Sequence, residues 1–151
     1  MRFVKPLAIV AVLVLAGAGC SAPNTSGSTV KIETPSGDKI HVKEARSLTE
    51  QHVGLSGSKD IGDGMLFCFS EYKVQKFWML DMHVPIDMIW IEDEKVTGVA
   101  DNVPIETNND WTRRESGDAV NTVLEVPAGM AAELGIVRGS VMPDVDEICS
   151  K

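Results

Sequence analysis

The chain has 151 residues, 44% of them hydrophobic, and a net charge of −8. That length suits one hydrophobic core and leaves no room for a second domain. With 22 acidic against 14 basic side chains, the surface is a poor partner for nucleic acid or anionic lipid, and the scattered acidic residues suit solubility better than cation binding.

Residues 1–19 have the layout of a secretory signal peptide. Arg2 and Lys5 precede an apolar run from Pro6 to Leu15, and the small residues Ala16, Gly17, Ala18 and Gly19 follow. The apolar run falls short of the roughly 20 residues that span a bilayer as a helix. Two processing routes compete. Ala16-Gly17-Ala18 has the A-x-A form of an ordinary cleavage site, which would release a soluble protein from Gly19. Gly17-Ala18-Gly19-Cys20 resembles the lipobox of bacterial lipoproteins, with Gly17 where leucine is usual. We prefer lipidation at Cys20, because that cysteine directly follows the small residues and precedes a polar tether. The expected location is then the extracytoplasmic side of a membrane, in the periplasm or at the cell surface. Residues 20–29 form the lipidated cysteine and a flexible spacer, and residues 30–151 the folded domain. Loss of Arg2 and Lys5 with the leader leaves 12 basic against 22 acidic side chains, a net of −10.

Val30–Glu33 and Lys39–Glu44 alternate apolar and polar residues around Pro35-Ser36-Gly37-Asp38, a hairpin pattern with Ile40 and Val42 facing inward. Ser47-Leu48-Thr49-Glu50 is a capping box that opens a short helix through Val53, ended by Gly54. A Gly-, Ser- and Asp-rich loop follows from Ser56 to Asp63. Three apolar runs, Met65–Phe69, Lys76–Leu80 and Ile86–Ile91, have strand length and are apolar on both parities, so each is expected to be covered on both faces, as in a sandwich or barrel interior with loops or helices packed outside. A strand from Val96 to about Val103 leads to a charged stretch, Pro104–Asp118, expected to be a mobile or functional loop. Ala119–Val126 reads as a strand and Ala128–Leu134 as a short helix with Pro127 in its first turn and Gly135 at its end. Ile136–Ile148 leaves space for one or two short strands. The fold class is mainly β, a single compact domain with seven or eight strands and two short helices.

These segments, in this order, resemble the domain of unknown function 192 family of small prokaryotic proteins, many of them exported. The resemblance rests on Gly54-Leu55, Asp63-Gly64-Met65-Leu66-Phe67-Cys68-Phe69, Phe77-Trp78-Met79, Pro85-Ile86-Asp87-Met88-Ile89-Trp90-Ile91, Val123-Leu124-Glu125-Val126-Pro127-Ala128-Gly129, Leu134-Gly135-Ile136 and Gly139. It implies a β-sandwich or jelly-roll-like domain and assigns no biochemical function. Leu80-Asp81-Met82 stands where the family commonly has Lys-Asn-Thr, and the loop after Pro104 lacks the cysteines that some members carry.

Asp81, His83 and Asp87 make the densest polar constellation, at a turn between apolar strands. Together they could hold a divalent metal or move a proton, although the spacing matches no standard ligand motif. Asp87 can equally satisfy turn amides, and His41 and His52 are surface residues. Trp78 and Trp90 are expected in the core. Trp111, flanked by Arg113 and Arg114, could meet a ligand or partner or anchor its own loop. With Cys20 lipidated, Cys68 and Cys149 remain, either as a disulfide or as separate thiols. No nucleophile elbow or phosphate-binding loop is present and no cofactor is expected. Three readings follow: a membrane-anchored, non-catalytic module that binds a small molecule, carbohydrate or protein; a small metal-assisted or acid–base enzyme at Asp81, His83 and Asp87; or a structural envelope lipoprotein without ligand.

Overall fold

The computed structural model describes residues 27–106 and 113–151; the leader, Cys20, most of the tether and Trp111 lie outside them. The elements run in the order β1 (Thr29–Glu33), β2 (Lys39–Ala45), α1 (Leu48–Val53), β3 (Met65–Phe77), β4 (Ile86–Glu92), β5 (Lys95–Val103), β6 (Arg114–Pro127), α2 (Met130–Glu133) and α3 (Pro143–Cys149). Among the described residues six strands hydrogen-bond into one sheet in the order β1-β2-β3-β6-β4-β5. The domain is mainly β, with one sheet covered on both faces and three short helices.

The β1–β2 hairpin closes through Thr34 N donating to Asp38 O at 2.9 Å, with Gly37 at φ 88° in the left-handed region that the turn requires. The pairing of β2 with β3 is parallel, so the chain between them must cross a face of the sheet. That crossing carries α1, whose capping box forms as expected: Glu50 N donates to Ser47 Oγ at 3.2 Å and Ser47 N to Glu50 Oε2 at 2.9 Å.

Alternation along the central strands divides the core between the two faces. One cluster contains Leu66, Ile89, Ile91 and Leu124 with Val42, Ala131 and Val145. The other contains Met65, Phe67, Met88, Trp90 and Val123 with Leu55, Ile61 and Met79. Burying a side chain of this size contributes about 1.5–3 kcal/mol, so covering both faces is what fixes the register of the sheet.

Three expectations are corrected. The runs Met65–Phe69 and Lys76–Leu80 are not separate strands, because β3 continues to Phe77 across register irregularities between Cys68 and Lys73 and between Val74 and Lys76. Those bulges absorb the polar residues 70–73 that looked like a break. Second, β6 begins at Arg114, so Arg114–Asp118 belongs to the strand, with Arg114 paired to Phe77 and Glu115 to Lys76, instead of extending the loop. Third, Pro143–Cys149 is a helix where strands were expected: Pro143 occupies the first turn, followed by Asp144 and Asp146.

The far end of α3 is fastened twice. Cys149 is disulfide-bonded to Cys68, with Cα atoms 5.2 Å apart. Arg46 donates to the carbonyls of Ile148 and Cys149 at the helix C-terminus, where a cation is favourable, while Glu44 Oε1 accepts from its Nε at 2.6 Å.

Candidate functional site

The structure separates the polar constellation that the sequence placed together. Asp87 is 1% exposed. Its Oδ1 accepts from Asn102 N at 2.7 Å, and its Oδ2 accepts from Gly129 N at 2.9 Å and Ala131 N at 3.0 Å. The carboxylate thus ties β4 to the end of β5 and to the start of α2, and it satisfies backbone amides that would otherwise be buried without acceptors. Asp81 and His83 face solvent instead, with His83 Nε2 4.0 Å from Asp81 Oδ1. Among the described residues no three His, Cys, Asp or Glu side chains are grouped to hold a metal ion.

Trp90 is buried as expected, but Trp78 is not a core residue and is 41% exposed. β3 ends at Phe77, so Trp78 and Leu80 leave the sheet while Met79 turns inward. The Arg113 guanidinium lies 5.7 Å from the centroid of the Trp78 ring, within the range of a cation–π contact. Arg114 pairs in register with Phe77.

Trp78 and Leu80 stand at the lip of a cleft of about 410 Å³, with α1 and the loop after it on one side and the end of β3 and Trp78–Met82 on the other. Ser56 Oγ donating to Leu80 O at 2.7 Å and Gly57 N donating to Asp81 O at 2.8 Å join the two walls. Gln51 Nε2 donates to Cys68 O at 2.7 Å and holds α1 against β3. Phe67, Phe69 and Phe77 line the interior, with Phe67 and Phe77 edge to face at 5.1 Å between centroids. Exposed His52 lies at the edge.

Two buried polar side chains line this apolar space. Glu125 lies near the C-terminal end of β6, paired with Met65 on β3 and Met88 on β4, and is 4% exposed. Its carboxyl has no hydrogen bond or ion pair among the described residues, and burial pushes its pKa up to about 8. It therefore keeps its proton at neutral pH and can both donate and accept. Gln75 occupies the second irregularity of β3, where Gln75 N donates to Ser116 Oγ at 3.0 Å. Its Nε2 is buried without a partner.

Neither residue was singled out in the sequence. Glu125 had a signal: it is the single charged residue in the run Val123–Val126 and shares a face with Val123, so alternation points its carboxyl into the core. Gln75 had none, since its inward turn depends on the bulge.

The family model described as DUF192, uncharacterised ACR, matches residues 30–143. The chain belongs to the DUF192 family. It is similar to a crystal structure of a protein of unknown function from Novosphingobium aromaticivorans, with a TM-score of 0.70 and 28% identity, covering 89% of this chain and 99% of that one. It is also similar to a protein from Sinorhizobium meliloti described as a candidate transcription regulator, with a TM-score of 0.66 and 26% identity, covering 76% of this chain and 90% of that one. No curated protein matches the sequence. DUF192 membership and both structural relatives agree with the fold and leave the biochemical role unassigned.

Proposed function

We propose that this DUF192 chain is a non-catalytic binding module that takes a small amphipathic molecule into the cleft between α1 and the end of β3. The observation that carries the reading is Glu125, a carboxyl buried in an aromatic and aliphatic cleft with no partner among the described residues. Leaving a buried polar group unpaired costs about 1–3 kcal/mol, and an apolar side chain would fill the same place without that cost. A ligand that hydrogen-bonds Glu125 and Gln75 while covering the rings recovers the loss.

The module is displayed outside the cytoplasm, fastened by lipid on Cys20, with the residues between Cys20 and β1 as its tether. Asp81, His83 and Asp87 do not form the centre of an enzyme in this reading, because Asp87 is fully engaged by backbone amides. The regulator description of the Sinorhizobium meliloti protein is not carried over, since a net charge of −8 disfavours nucleic acid.

Titration of the purified chain with Nile red, a neutral apolar fluorophore, tests the cleft. Saturable one-to-one binding that weakens at least tenfold in Leu80→Asp supports it; no saturable binding, or binding indifferent to that substitution, overturns it. For the anchor, globomycin should block processing and alter membrane fractionation, and unchanged behaviour would contradict lipidation at Cys20.

A further inference from the structure

We propose that the ligand of this cleft is an organic ammonium compound, an apolar or aromatic amine whose charged nitrogen meets Glu125 and whose body lies against Phe67, Phe69 and Phe77. The inference rests on the binding-module reading above and adds the charge of the ligand to it.

Three features select a cation. Among the described residues Glu125 has no positive partner, and the cations at and beside the cleft are occupied or remote from it. Lys76 Nζ is held by Glu115 Oε1 at 2.9 Å, the Arg113 guanidinium rests on Trp78, and His52 is exposed at the edge. The residues flanking Glu125 across the sheet are Met65 and Met88, which bring no charge. An incoming ammonium is therefore the group that would complete the pair. Second, the walls are aromatic, and ring faces attract cations in sites shielded from water; Trp78 already holds one in this way. Third, a chain of net charge −8 concentrates cations and repels anions. Gln75 assists, because its amide can turn its oxygen toward a bound ammonium.

On binding, Glu125 gives up its proton to solvent and the ammonium keeps its own, so a neutral acid becomes a carboxylate paired with the ligand. Burial holds the proton on the free protein up to about pH 8. The affinity for a cation then rises with pH until the carboxyl of the free protein is ionised.

Calorimetric titration of the full chain with phenethylamine, 2-phenylethanol and 3-phenylpropionate at pH 6.5 and 8.5 tests this. Phenethylamine should bind most tightly, and roughly twentyfold more tightly at the higher pH, as follows from tenfold per unit below the pKa. Glu125→Gln, which keeps the shape and neutrality of the protonated acid, should abolish the pH dependence, whereas His52→Gln should keep it. If 2-phenylethanol binds as well as the amine and weakens toward pH 8.5, the ammonium assignment is wrong and the binding module stands. If the pH dependence survives Glu125→Gln, the assignment is also wrong. If none of the three binds, the ammonium assignment falls, and the Nile red titration alone decides whether the cleft is a ligand site.

Discussion

Glu125 on β6 stands directly across the sheet from Met88 on β4, a carboxyl paired with a thioether in the interior of the domain. The opposite neighbour, Met65 on β3, is equally unable to neutralise it. Stability should therefore depend on pH with a sign set by this group. Its pKa is raised from 4.5 to about 8 by folding, so the folded state binds the extra proton between those values and stability falls as pH rises through that window. Glu125→Gln should match the wild type near pH 4 and exceed it by on the order of a few kcal/mol above pH 8. Urea unfolding across pH measures this, and a wild type that gains stability relative to the variant between pH 5 and 8 contradicts it.

Asp87 should behave as a structural acceptor. Asp87→Ala leaves the amides of Asn102, Gly129 and Ala131 without their acceptor, so it should cost about 3 kcal/mol or more. Metal content measured by mass spectrometry after purification without chelator should be the same for this variant and the wild type. A small stability loss together with a loss of stoichiometric metal would reverse the assignment.

His83→Ala should be nearly silent. The His83–Asp81 pair is exposed at 4.0 Å, and such pairs contribute about 0–1 kcal/mol. Thermal unfolding at pH 5.5 and pH 8 checks this; a change above that range would show that the turn depends on the pair.

Cys149→Ser should cost on the order of 4 kcal/mol in a loop-entropy account, since the bridge closes a separation of 81 residues. That entropy belongs to the unfolded chain, so amides of the sheet that exchange by global unfolding should lose protection together by about that amount, while Arg46 remains as the other fastening of α3. Hydrogen exchange resolved by residue reads this directly, and loss confined to α3 with the sheet unchanged would contradict the loop-entropy origin.

What the sequence made legible depended on how local the determinants were. The β1–β2 hairpin and the capping box at Ser47 and Glu50 are set by neighbouring residues, and both were readable. The two-sided sheet was legible from the runs in β3 and β4, because alternation that is apolar on both parities demands cover on both faces. The continuity of β3 was not, since polar residues 70–72 fall in an irregularity that interrupts the pairing with β6 before it resumes at Lys73. Pro143 and the acidic residues after it did carry a helix-start signal, outweighed by the lack of an amphipathic period over so short a stretch. At the candidate site, Asp87 and His83 drew attention as polar residues beside a proline, yet their partners are set by distant amides and solvent. The role of Glu125 was not legible, because a lone acid in an apolar strand becomes meaningful only when no cation lies opposite it, which is tertiary information.

The most direct test of the account is the titration of the Glu125 side-chain carboxyl by 13C NMR in the free protein. The midpoint should lie near 8 and fall when phenethylamine is bound. A midpoint near 4.5 in the free protein would mean that this carboxyl is already charged and compensated, and the unpartnered acid on which the site depends would not exist.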